Sequence, residues 1–273
     1  MVLAKRYIFF VGLQKAEIDV PILMYHHIQP VPSPASLTFT LGLQDFIRQL
    51  DTLQHYKFTT ITFGRLFQGL NGERPLPRRP VLITFDDGYE SFYDLAYPAL
   101  ASRKMVSTVF VVASEIGGYN RWDAERGAKT LRLLSAGQIK ELIAAGMEIG
   151  VHGWAHRDLT TCSETEAREE ILRAKEEIEK GLGIRPQVFC YCYGKYTTQH
   201  FPLLREADYK GATAGSTIYR HVTTERFAMR RLNLGYTDTG LRLRLKLSPL
   251  YLRYYAAQER RQLIRAQLAA SGR

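Results

Sequence analysis

Short apolar runs that alternate with stretches of helical spacing constrain this chain more than any other feature. The runs lie at 21–25, 81–85, 108–113, 147–151, 188–192 and 228–234, and the helical stretches at 43–56, 91–103, 135–145, 163–180 and 198–207. Runs of this length suit strands covered on both faces, and strands separated by helices predict βα units around a parallel sheet. Ser135 with Gln138, and Ser163 with Glu166, match the capping box, in which a hydroxyl and a long polar side chain satisfy the first free amides of a helix. The segment 68–80, QGLNGERPLPRRP, reads as a loop because Gly, Pro and charge crowd it. A chain of 273 residues with 45% hydrophobic and 23% charged content can bury a real core, which excludes disordered and fibrous classes.

No apolar run approaches the roughly 18 residues that a membrane-spanning helix needs. The stretch 7–13, behind Lys5 and Arg6, starts like a secretory signal, but it is short and no small-residue cleavage site follows before Asp19. The expectation is an unexported, cytoplasmic chain. Cys162, Cys190 and Cys192 cannot all pair, and alternation along a strand points Cys190 and Cys192 the same way, as reduced thiols. The net charge of +10 is uneven: residues 241–273 hold eight Lys and Arg against Glu259 alone, giving +7 and leaving +3 for residues 1–240.

Two strand ends carry the chemistry. TFDDGY, 84–89, ends an apolar strand in adjacent carboxylates, and groups at the carboxyl ends of parallel strands gather in one mouth. Asp86 and Asp87 either act there or only cap the following helix. MEIGVHGWAH, 147–156, repeats the design: a strand runs into His152, and His156 follows four residues later. Both imidazoles can then reach one cation. Together the two ends suggest a metal site of two histidines and one carboxylate, with positions left for water and substrate.

These residues resemble the NodB-homology polysaccharide deacetylases, carbohydrate esterase family four. TFDDG at 84–88, the His152 and His156 pair after Glu148, and Tyr191-Cys192-Tyr193-Gly194 are similar to its first three motifs. MYHHI at 24–28 and FAMRRLNL at 227–234 match its first and late strands, so the likeness spans about 18–236. The early histidine is most similar to the subgroup that includes poly-N-acetylglucosamine deacetylases.

The resemblance implies an α/β fold, a distorted (β/α) barrel over residues 1–240, with a basic C-terminal helical extension over 241–273. It further implies a metal-dependent hydrolase that removes acetyl groups from N-acetylated amino sugars in a polysaccharide, oligosaccharide or lipid-linked glycan. Asp87, His152 and His156 would hold a divalent ion: zinc, with cobalt or nickel as alternatives. Asp86 would be the general base, kept ionised by Arg231, and His26 would protonate the leaving amine, with His27 as its rival. The backbone amide near Tyr193 would serve the oxyanion, and Gly194 would allow the turn. Tyr191 and His27 would also contact the glycan, and Trp154 would either stack on a sugar ring or pack under the metal loop.

Two departures stand out: Cys192 replaces a proline, and no late Leu-x-His motif follows Arg231. They keep two other readings open, an O-deacetylase or N-deformylase on a related sugar, and an inactive carbohydrate-binding or assembly protein. The tail, with LRLRLKL at 241–247 and helical spacing over 251–268, suits either peripheral contact with the anionic inner membrane surface or a helix that closes the barrel. No nucleic-acid-binding motif accompanies its charge.

Overall fold

The alternating pattern resolves into a nearly closed ring of parallel strands in a computed structural model that describes residues 20–31, 39–124, 129–215 and 226–248, together with 250, 251, 254 and 261. In chain order the strands are β1 (Ile22–Tyr25), β2 (His27–Gln29), β3 (Thr40–Gly42), β4 (Thr59–Thr60), β5 (Pro80–Phe85), β6 (Thr108–Val111), β7 (Glu148–Val151), β8 (Val188–Cys190), β9 (Gly211–Ala214), β10 (Met229–Arg230) and β11 (Leu232–Asn233). Among the described residues nine of them form one sheet in the order β10-β9-β8-β7-β6-β5-β1-β11, with β4 on β5, while β2 and β3 pair separately. Every pairing is parallel. β10 pairs with β9 and β11 with β1, so one short segment broken at Arg231 joins the two edges.

Among the described residues the helices are α1 (Leu43–His55), α2 (Phe63–Leu70), α3 (Tyr97–Ala101), α4 (Arg121–Ala124), α5 (Ala136–Ala144), α6 (Glu164–Arg168), α7 (Ala174–Leu182), α8 (Phe201–Glu206) and α9 (Gly240–Lys246). Alternation along each strand sorts side chains between lumen and helices. Ile22, Leu82, Phe110, Val188, Cys190 and Met229 fill the lumen, with Phe63, Leu66, Phe67 and Leu70 of α2 (Phe63–Leu70) closing its floor. Leu23, Ile83, Phe85, Val109, Val111, Ile149, Val151 and Phe189 point the other way into the larger core beneath the helices. The same parity makes Thr84, Asp86, Glu148, Gly150 and His152 lumen residues. At the floor, the half-buried Glu148 carboxylate accepts hydrogen bonds from the amides of Phe63 (2.7 Å) and Gly64 (2.8 Å) and from Thr108 Oγ1 (2.6 Å). It thereby satisfies two of the free donors that open α2.

Both expected capping boxes are present. One starts α5 (Ala136–Ala144) at Ser135, and the other starts α6 (Glu164–Arg168) at Ser163. α6 passes through a π-helical turn, Glu169–Arg173, into α7 (Ala174–Leu182).

The short β2, β3, β4 and α4 escaped the sequence pattern, as did two longer elements, β9 and α2. β9, GATA, lacks the bulky residues that mark a strand, because it runs where space is short: a Cβ on Gly211 would lie 2.7 Å from the Arg226 carbonyl and 2.9 Å from Met229 Cε. α2 ends in the segment read as loop, and only the stretch after Leu70 is irregular.

The first part of the basic extension is helical, α9 (Gly240–Lys246). A period of two on a helix splits the leucines between faces: Leu243 is buried with Leu247, whereas Leu241 and Leu245 are exposed. Arg242 and Lys246 pair with buried Asp238 (3.2 and 2.7 Å), and Arg244 lies over the Tyr56 ring at 4.8 Å. The 7–13 stretch, and most of the tail on which the membrane-contact expectation rests, lie outside the described residues. Among the described residues no helix is long and apolar enough to cross a membrane.

Gly150 sits where a Cβ would fall 2.4 Å from the Phe110 ring, which is fully buried in the lumen. Gly150→Ala should therefore cost about 1–3 kcal/mol in urea denaturation through overpacking. Phe110→Leu in the same chain should recover part of that loss, and strict additivity of the two changes would show that the residues do not compete for space.

Candidate metal and catalytic site

The carboxyl ends of β1, β5, β7 and β8 surround a cavity of about 570 Å³ lined by His26, Asp86, Asp87, His152, His156 and Arg231, among others. Each residue arrives by a local rule. Asp86 continues the inward parity of Leu82 and Thr84 beyond β5. Asp87 follows in the left-handed region (φ 70°), as does Gly88 (φ 70°), so the chain turns sharply and aims the second carboxylate across the mouth. His152 continues the parity of β7, and His156 (φ 57°) turns back toward it. Tyr193 is also left-handed (φ 57°). Such conformations cost about 1–3 kcal/mol each for non-glycine residues and persist only where the surroundings enforce them.

Asp87 Oδ1 lies 3.3 Å from His152 Nε2 and 3.2 Å from His156 Nε2, with all three residues buried. Burial opposes charge on Asp87, but the contacts with the two imidazoles hold its carboxyl well below the usual carboxylate range. His152 Nδ1 is 2.8 Å from the Cys190 carbonyl, which can only accept. Nδ1 therefore carries a proton; burial opposes charge on the ring, but its contacts with Cys190, Cys192 and Asp87 outweigh burial and raise its pKa well above the ordinary imidazole value, so Nε2 is free for a cation once it gives up its proton. His156 Nδ1 is 3.1 Å from the Tyr193 hydroxyl, and burial lowers its pKa in spite of Asp87, which favours the neutral ring.

Two thiols lie close by, and ligand atoms of His152, His156 and Cys192 fall within 4.8 Å of one another, as do those of Asp86, His152 and Cys190. Cys192 Sγ, however, stands 3.9 Å from Nδ1, at the back of the His152 ring, and burial pushes its thiol up to about 11, so it stays protonated. With both rings deprotonated at Nε2, the two imidazoles and the ionised Asp87 carboxylate would offer a donor set of the kind that suits a divalent cation such as zinc.

Asp86 is held by Arg231 through two parallel bonds, Nη1 to Oδ1 at 2.6 Å and Nη2 to Oδ2 at 2.7 Å. Arg231 is 1% exposed; it donates also to the Ala214 carbonyl (3.3 Å), Thr84 Oγ1 (3.2 Å) and Cys190 Sγ (3.2 Å). Burial alone would raise the Asp86 pKa, but the guanidinium outweighs it and holds the carboxyl below its ordinary value.

His26 Nε2 is 3.6 Å from Asp86 Oδ2, and its ring stacks on Phe39 at 4.7 Å. Burial lowers the His26 pKa despite Asp86 and Asp87. His27 also borders the cavity but is tied to Ser91 Oγ at 2.8 Å, and burial, reinforced by Lys129, pushes it down to about 4.

Tyr193 and Gly194 line the cavity. The left-handed Gly194 (φ 66°) abuts Gly215, whose Cα would lie 2.3 Å from an added Cβ. Tyr191 and Trp154 are not brought to the cavity. Tyr191 is fully buried, with its hydroxyl on the Phe227 carbonyl at 2.8 Å, and Trp154 packs beneath the Arg173 guanidinium, 3.9 Å from its ring. The aromatic wall is instead Trp122, stacked on His156 at 4.3 Å, together with Phe39, which is 50% exposed. Sequence reading missed both. A tryptophan isolated in the polar segment NRWDAERGAK was the available signal.

Arg231→Met leaves the Asp86 carboxylate buried without its counter-charge, and should cost about 3–5 kcal/mol near neutral pH. The pair stabilises the protein above the unfolded Asp pKa of about 3.9 and is lost as pH falls through the depressed folded value. In the variant, burial without the guanidinium raises the Asp86 pKa, so the carboxyl takes up a proton as pH falls from about 7 to about 4, and the gap between variant and native protein in urea denaturation should narrow over that range. An equal gap at both pH values would show that the guanidinium does not hold Asp86 ionised.

The family model described as Polysaccharide deacetylase matches residues 73–212 of this chain. YxkH of Bacillus subtilis (strain 168), provisionally named a polysaccharide deacetylase, is 26% identical over 198 residues, 72% of this chain and 64% of its own length. A poly-beta-1,6-N-acetyl-D-glucosamine N-deacetylase of Staphylococcus aureus (strain MRSA252) is 24% identical over 183 residues, 63% of this chain and 60% of its own. The chain thus spans less than two thirds of the length of these relatives. In fold it is similar to the Streptococcus pyogenes deacetylase PplD in complex with acetate (TM-score 0.74, 22% identity, 85% of this chain and 100% of that one). It is also similar to IcaB from Ammonifex degensii (TM-score 0.64, 23% identity, 81% of this chain and 94% of that one).

Proposed function

The chain belongs to the polysaccharide deacetylase family, and on that premise we propose that it is a divalent-metal-dependent hydrolase that removes acetyl groups from N-acetylated amino sugars of a glycan. The observation that carries this reading is the convergence of Asp87, His152 and His156 beside the Asp86–Arg231 pair, at the end of a cavity large enough for a sugar residue. Glycans of the poly-N-acetylglucosamine type are the first substrates to try, since the S. aureus relative is named for one.

Asp87, His152 and His156 would hold the cation, zinc being the first choice for this donor set. When bound, the cation supplies Lewis acidity to the acetamide carbonyl and lowers the pKa of water toward about 7. Asp86 takes the proton of the attacking water as its oxygen bonds to the carbonyl carbon. Arg231 occupies both Asp86 oxygens yet leaves each a second lone pair, so it fixes the base in its ionised form without blocking it. The amide near Tyr193 donates to the developing oxyanion, and the Gly194 turn aims that segment at the cavity.

His26 is the better placed acid, standing 3.6 Å from Asp86 while His27 is engaged with Ser91. Burial keeps His26 neutral at rest, so the proton it gives to the amine is the one that Asp86 has taken. The carbon–nitrogen bond then breaks, and acetate and the free amino sugar leave. Trp122 and Phe39 would pack against the sugar.

Acetate release from β-1,6-linked N-acetylglucosamine oligomers, run beside formate release from N-formyl analogues, tests this reading. Activity should vanish with chelator and return with zinc or cobalt. Asp86→Asn should lower kcat by about 10²–10⁴-fold. Full activity in chelator, or release of formate alone, would overturn it.

A further inference from the structure

The loop that carries both histidines is held from two sides. Its carbonyls at Gly153 and Trp154 accept hydrogen bonds from the amides of Ala113 (3.1 Å) and Ser114 (3.0 Å) beyond β6. Its amides turn the opposite way, onto one carboxylate: Trp154 N lies 3.0 Å from Glu170 Oε2, Ala155 N 2.9 Å from Oε1, and Arg157 N 3.3 Å from Oε2. Glu170 is only 1% exposed and projects from the π-helical turn Glu169–Arg173, where the widened helix reaches the loop. Gly153 (φ 76°) makes the approach possible, because a Cβ there would lie 2.3 Å from Glu170 Oε2. Arg173, on the same turn, covers the outer face of Trp154 at 3.9 Å.

We propose that Glu170 is a positioning residue for the metal site: its buried carboxylate fixes the backbone between His152 and His156 so that both imidazoles face Asp87. This rests on the metal reading above. The amides at 154, 155 and 157 bracket the left-handed His156, whose φ of 57° must be imposed from outside, and a doubly accepting carboxylate imposes it without touching the cation. A glutamine of the same shape cannot substitute. It offers one oxygen, and its NH₂ meets an N–H donor head on.

The test titrates purified, metal-stripped full-length protein with zinc, following affinity by competition with a chromophoric chelator, and measures amide hydrogen exchange over 153–157. Glu170→Gln should weaken zinc binding about 10- to 100-fold, the range found when residues that orient metal ligands are changed. Exchange at 154, 155 and 157 should speed up, and kcat at saturating zinc should stay within about threefold of the native value, since no ligand is lost. Gly153→Ala, which displaces the carboxylate from the other side, should act in the same direction. His152→Ala serves as the reference. Loss of zinc binding in His152→Ala with native affinity in Glu170→Gln overturns the positioning role alone. Native zinc affinity in His152→Ala overturns the metal reading itself.

Discussion

The pairing of Arg231 with Asp86 is the interaction on which the rest of the molecule turns. It joins residues 145 positions apart in the sequence, and both groups are almost fully buried, so neither is tolerable without the other. Arg231 stands at the break between β10 and β11, the segment that closes the ring, so the residue that completes the barrel also sets the charge of the proposed base. The guanidinium is further fixed by a β9 carbonyl, a β5 hydroxyl and a β8 thiol. Partners from three strands thus agree on one orientation.

Above this pair the site is layered by the two-residue period of the strands. Inward positions become polar only near the carboxyl ends, where Thr84, Asp86 and His152 replace the Leu82 and Phe110 of the layer beneath. The exceptions at the opposite end are Glu148 and Thr108, and the Glu148 carboxylate is satisfied by the start of α2 and by Thr108 itself. The apolar layer between isolates the two polar ends, which strengthens every electrostatic contact at the mouth.

Much of this was legible in the sequence because apolar runs and strand-end motifs are local signals. The runs at 81–85 and 147–151 locate β5 and β7, and TFDDG and the His152–His156 pair mark where those strands open into the cavity. What escaped was set by partners distant in sequence. β9 is a strand because its neighbours need something small between them, and GATA carries no pattern that says so. Trp154 stands between the two histidines and yet turns away, because Arg173 and Glu170 claim its ring and its amide. Trp122, thirty-four residues before His156, takes the place beside it. The segment LRLRLKL is helical, as expected of the extension, although its period of two matches no single helix face; docking of Leu243 against the core sets which leucines are buried.

The meeting of Gly194 and Gly215 carries a consequence for how such a site can diverge. Backbone touches backbone there, so neither position can accept a side chain, and that flank of the cavity offers nothing for natural variation to reshape. New preferences for a ligand have to be written on the facing wall, around Phe39 and Trp122, where side chains rather than main chain meet the incoming molecule. One rim is thereby fixed by main chain, and the other is the wall that a side-chain substitution can reshape.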